Sequence, residues 1–136
     1  MGAWGHEIFD NDAACDWQDR LLRSDDLALI EESLSRVAHA PAGETINASD
    51  GSQMLAACEA LAHLRGRPGL HEASIDALAS WAQSHSHLAT DSLVPVAQVA
   101  LERVVSDDSE LKQLWAEGNQ LSLWLATVED VSRRIA

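Results

Sequence analysis

Four carboxylates crowd the start of this chain: Asp10, Asp12, Asp16 and Asp19. Such a set could hold a hard cation or divide general acid and base roles. On a helix beginning near residue 11, Asp12, Asp16 and Asp19 fall on one face. With one or more of His6, His39, His63, His71, His85 and His87 they could serve a metal-dependent or hydrolytic enzyme. The same residues have an ordinary structural use. Asp12 suits the positive end of a helix dipole, and Asp16 and Asp19 each have an arginine four residues on, Arg20 and Arg23. The Gly and terminal Glu of an EF-hand loop are absent at the required offsets.

The other chemistry-bearing types are sparser. His85-Ser86-His87 could set two imidazoles near a metal, but a zinc site needs three or four ligands and no third is signalled nearby. His39, His63 and His85 lie close to expected helix C-termini, where a partly positive ring is favoured. Cys15 and Cys58 fall among helical apolar positions, lack a neighbouring base, and read as buried thiols in a reducing compartment. There is no Gly-x-Ser-x-Gly, no P-loop and no Gly-x-Gly-x-x-Gly. No catalytic, cofactor-binding or metal-ligating residue is assigned.

Charge narrows the partners. The formal net charge is −13 over 136 residues, with a pI near 4.6. Phosphate backbones and anionic membrane surfaces both select Lys and Arg, so nucleic-acid and membrane binding are not expected. A basic protein partner is compatible, and acidity also serves solubility. No apolar run approaches the ~20 residues of a membrane span. The start lacks a signal peptide's basic and apolar regions, so a cytoplasmic location is expected.

Seven stretches carry a helical stripe, and none alternates as a strand. The first covers about 11–23. Ser24 is expected to cap a second, running to about Ala40, with Asp25 and Asp26 in its first turn. Its stripe is Leu27, Ile30, Leu34 and Val37. A third runs from about Ser49 to Arg65, a fourth over about 72–84, and a fifth from about Asp91. Ser106 is expected to cap the sixth, which carries Leu111, Leu114 and Trp115 and closes at Gly118. The last presents Leu121, Trp124, Leu125, Val128, Val131 and Ile135. The reading is all-α: one compact domain of six or seven short helices. At this mass a folded surface of about 6,900 Å² is expected.

The stretch from Gly2 to Trp17 mixes residue types most unusually. Gly2 and Gly5 allow close backbone approach. Trp4, Phe9 and Trp17 are large apolar anchors, expected to be buried together. Asp10, Asn11 and Asp12 offer oxygens to a helix start. This opening resembles the bacterial domain of unknown function family 4259, whose members begin Met-Gly-x-Trp-Gly, then Phe-Asp/Glu-Asn-Asp, Ala and Asp-Trp or Asp-Phe. The matching residues are Gly2, Trp4, Gly5, Phe9, Asp10, Asn11, Asp12, Ala14, Asp16 and Trp17. A second match covers Ala100 to Val104, Ser109-Glu110-Leu111, Leu114-Trp115 and Trp124. Glu7 stands where many relatives have Gly. The resemblance implies a small helical domain and carries over no catalytic residue.

Two readings of function stand side by side. One is a non-enzymatic interaction module of immunity or antitoxin type. The other is the enzyme built on the Asp10–Asp19 face. For the first, the candidate surface is Asp25, Asp26, Glu31 and Glu32, which should face water together away from the Leu27, Ile30, Leu34 stripe. Trp81 is added because it falls off its own helix stripe, where an exposed indole would anchor an interface. Burial of Trp81 against the neighbouring loop is the competing expectation.

Overall fold

The computed structural model describes residues 5–69 and 75–136. Seven α-helices are present among them: α1 (Asp12–Leu22), α2 (Ala28–Ala38), α3 (Ala48–Leu64), α4 (Ile75–Ser84), α5 (Leu93–Val104), α6 (Glu110–Glu117) and α7 (Leu121–Ile135). They pack as one all-α domain, with an accessible surface of 6775 Å². Among the described residues the only β-type pairing is an isolated bridge between Ile46 and Ser109. Gly2, Trp4 and His71 lie outside the described residues, as does the start expected for the fourth helix.

Helix α3 is the hub, touching every other helix. Its sequence explains why. From Met54 to His63 every residue is buried, and Ala56, Ala57, Ala60 and Ala62 are too small to hold neighbours away. A helix apolar all round has no face to give to water and must be enclosed. The face expected from Met54, Leu55, Cys58, Leu61 and Ala62 is therefore only part of its buried surface. Gly51 marks a close crossing: a Cβ there would lie 2.8 Å from Leu111 Cδ1 and 3.3 Å from Val104 Cγ2.

The two N-termini of α3 and α6 are tied to each other. Glu110 N donates to Ile46 O at 2.9 Å, and Ile46 N donates to Asp108 O at 2.9 Å. The Glu110 carboxylate reaches back to accept from Ala48 N at 2.6 Å. An anionic oxygen there meets an otherwise orphaned donor at the positive end of the α3 dipole. Asn47 caps the same end, accepting from Asp50 N at 2.8 Å.

Several boundaries differ from the sequence reading, each for a local reason. Ser24 does not cap α2; its hydroxyl donates to Arg20 O at 3.1 Å and closes α1. Asp25 and Asp26 lie in a bend before α2, where Asp26 Oδ1 accepts from Ala28 N at 3.0 Å. Ser106 likewise closes α5 by donating to Arg103 O, and Ser109 caps α6 through Lys112 N. A serine competes for backbone on either side of a boundary, so spacing alone does not say which helix it serves. Among the described residues the carboxylate–arginine pairs that close within 4 Å at helical spacing are Glu32–Arg36, Asp130–Arg133 and Asp130–Arg134, not the two read on α1.

Candidate functional site

The N-terminal stretch is knit by its own side chains. Asn11 is the N-cap of α1: its Oδ1 accepts from Ala14 N at 2.8 Å and its Nδ2 donates to Ile8 O at 3.2 Å. Asp10 Oδ2 accepts from Glu7 N at 3.3 Å, and a Cβ on Gly5 would run into that carboxylate. Phe9 and Trp17 are both buried in the core, and the Trp17 indole donates to Ser33 Oγ at 2.8 Å. Asp12 is exposed in the first turn.

The Asp10–Asp19 face does not gather the described histidines. His6 Nδ1 lies 3.0 Å from Thr127 Oγ1, and that hydroxyl already donates to Leu123 O. His39 follows α2 at the surface, and His63 is buried beside Glu59. Among the described residues no three His, Cys, Asp or Glu side chains come together as a cation site. Cys15 lies beside the face. Burial and the charges of Asp12, Asp19, Asp16 and Asp10 push its thiol up from the ordinary value. Burial, then Glu59, pushes Cys58 up much further. Both sulfurs are thereby held as thiols, the unreactive form.

The acidic group on α2 is exposed, and its members differ in how free they are. Glu32 pairs with Arg36 at 2.6 Å, and Arg36 also meets Asp50 at 3.5 Å. Asp26 is engaged with the start of α2. Asp25 Oδ1 stands 3.8 Å from His85 Nε2, and Glu31 forms no ion pair among the described residues.

Trp81 is not part of that exposed surface. It is 6 % exposed, its indole N–H donates to Ser24 O at 2.9 Å, and its ring stacks on His85 with centroids 4.3 Å apart. The His85 Nδ1 lies 2.7 Å from Trp81 O. The stripe of α4 misplaced this residue because the bend at 24–27 folds over its helix and covers a second side of it. Trp81 and His85 form a column that supports the acidic bend from beneath.

A charged cluster escaped the sequence reading. Glu59, at the centre of α3, is 1 % exposed. Arg134 of α7 meets it with two nitrogens, Nη2 to Oε1 at 2.6 Å and Nη1 to Oε2 at 2.7 Å. Gly69 N donates to Oε2 at 3.0 Å. His63 Nε2 is 3.2 Å from the same oxygen but off the line of a hydrogen bond. Burial pushes the Glu59 carboxyl up. The contacts from His63, Arg134 and Gly69 outweigh it and bring it down to about 2. Arg134 also reaches Asp130 Oδ2 at 2.9 Å and Arg67 O at 3.1 Å. The available signal was a lone carboxylate inside the apolar run Met54 to Ala62.

The N-terminal stretch, α3, α6 and α7 also enclose an open cavity of about 240 Å³. Trp115, Trp124, Leu111 and Leu114 line it from one side, and Gly5, Ile8 and Asn11 from the other. The two stretches on which the family resemblance rests thus meet at one place. Leu114, expected on the buried stripe of α6, is 40 % exposed at its edge.

The architecture defines a small all-α domain with a capped N-terminal stretch folded against its last two helices. Residues 2–127 match Domain of unknown function (DUF4259), and the chain belongs to that family. No curated protein and no solved structure matches it.

Proposed function

We propose that this chain is a non-enzymatic interaction module of the bacterial cytoplasm that offers an acidic edge to a basic protein, in the manner of immunity proteins or antitoxins. The observation that carries the reading is the exposed set Asp25, Asp26, Glu31 and Glu32 on a bend and the start of α2, with the bend held by Trp81 at Ser24 O. A surface group of one sign steers an oppositely charged partner and raises the encounter rate, an effect that salt screens. The elevated thiols and the dispersed histidines lend no support to the enzyme reading. Metal analysis of protein purified without a histidine tag tests that alternative directly.

The experiment is charge reversal, Glu31→Lys with Glu32→Lys, read as the association rate with a basic protein captured from the native host. At low salt the rate should fall at least about tenfold, and the loss should shrink at high salt. An unchanged rate at both salt levels would reduce the acidity to a solubility device.

A further inference from the structure

A second surface lies between the N-terminal stretch and α7. Two depressions, of about 240 Å³ and about 430 Å³, share His6, Glu7, Ile8 and Thr127 in their walls. They adjoin at a shared wall where His6 bonds Thr127, and are taken together as one groove. The first half has an aromatic wall of Trp115 and Trp124. Of the large apolar side chains left exposed among the described residues, two stand on this groove: Leu114 at 40 % borders the first half and Leu123 at 49 % the second. Two large apolar residues bordering one concave surface make a patch, unlike scattered single ones.

The rim has a sign. Glu7 and Asp130 line the groove with carboxylates. The cation among its described lining residues, Arg134, is committed to Glu59, Asp130 and Arg67 O. Asp130 is itself paired with Arg134 at 2.9 Å and with Arg133 at 3.7 Å, so the carboxylate an acidic occupant would meet without an arginine to answer it is Glu7, which lines both depressions. In a chain of net charge −13 the complementary occupant is apolar on one side and basic on the other.

We propose that this groove takes a basic amphipathic helix from a partner protein, with apolar side chains seated at Leu114–Trp115 and at Leu123 and a lysine or arginine set against Glu7. Recognition of this kind reads apolar anchors at helical spacing, and the rim charge sets orientation and excludes acidic segments. The site is separate from the acidic edge of α2, so either surface can fail without the other.

The probe is a synthetic peptide of about fourteen residues, leucine at i, i+3, i+4 and i+7 spacing and lysine elsewhere. Its twin carries glutamate for every lysine. Amide shifts of the whole chain are followed on titration. The expected result is saturable binding of the lysine peptide alone, with shifts centred on residues 6–8, 114–115 and 123–127. Leu114→Lys or Leu123→Lys, both at exposed positions, should weaken it about tenfold or more, and Glu7→Gln should lessen its salt dependence. Glu31→Lys with Glu32→Lys should leave the groove shifts in place. Equal binding of the two peptides, shifts confined to residues 25–32, indifference to both leucine variants, or no binding would each overturn the proposal. So would leucine-dependent self-association of the chain in sedimentation, which would assign the groove to a second copy.

Discussion

Arg134 in the last turn of α7 grips Glu59 in the middle of α3 through two hydrogen bonds, 2.6 and 2.7 Å long, across 75 residues of sequence. The pair joins the final helix to the hub. A third arm, from Gly69 N, draws in the backbone that follows α3. A Cβ on Gly69 would sit 3.2 Å from Arg134 Nη2 and 3.3 Å from Glu59 Oε1, so the absence of a side chain there lets the three groups converge.

Removing one partner of a buried pair leaves an uncompensated charge. Arg134→Met should therefore destabilise the fold by about 3–5 kcal/mol. Glu59→Leu with Arg134→Met removes both charges and should recover a large part of that loss. The measurement is urea unfolding of the two variants beside the parent. A double variant as unstable as Arg134→Met alone would show that packing, not charge, is what Arg134 supplies.

The same carboxylate sets an acid limit. Its folded value is about 2, against an ordinary 4.5. A depressed carboxyl contributes stability that is fully present above its unfolded value and is lost as pH falls through the folded one. The loss should run from about pH 4.5 down to about pH 2 and amount to about 3 kcal/mol. Glu59→Gln should start less stable near neutrality and show a flatter decline across that window. Parallel acid profiles for parent and variant would disprove the assignment.

Gly51 sets two effects against each other. Alanine there would gain up to about 1 kcal/mol in helix propensity. Its Cβ would also stand 2.8 Å from Leu111 Cδ1, in a crossing already closed by Val104. Overpacking of that kind costs about 1–3 kcal/mol. Gly51→Ala should thus lower the unfolding midpoint, and Gly51→Ala with Leu111→Val should recover part of the loss. A rise in stability for the single variant would mean that α6 yields more readily than its Ser109 and Glu110 ties suggest.

Local signals were legible in the sequence, and long-range ones were not. Of the stripe Leu121, Trp124, Leu125, Val128, Val131 and Ile135, four are buried and Leu121 and Leu125 are half-buried against the core, because an amphipathic helix encodes its own inward face. Asn11 stands at the helix start its type favours. Ser24 and Ser106 close the helix behind them and not the one ahead, since a serine can serve either end. Glu59 went unread because its partners, Arg134 and Gly69, come close only after α7 and the end of α3 are placed. The groove walled by Ile8, Leu55, Trp115 and Thr127 has the same origin: four chain segments supply it, and no one of them shows a cavity.

Trp81 separates the supporting role from the interface role most cleanly. Its indole N–H meets Ser24 O at 2.9 Å, and its ring lies on His85 at a 19° interplanar angle. Trp81→Phe keeps an aromatic face for His85 but leaves the Ser24 carbonyl without that donor. An unmade bond to a partly buried acceptor costs about 1–3 kcal/mol. The loss should be local as well as global, because Ser24 leads directly into Asp25 and Asp26. Amide hydrogen exchange in residues 24–28 should accelerate in Trp81→Phe by more than the change in overall stability accounts for. An indole that merely anchored a partner from the surface would leave both the unfolding midpoint and that exchange untouched. The variant with Trp81 intact but His85→Ala should give a smaller effect in the same segment, since it removes the stacked ring and spares the bond to Ser24.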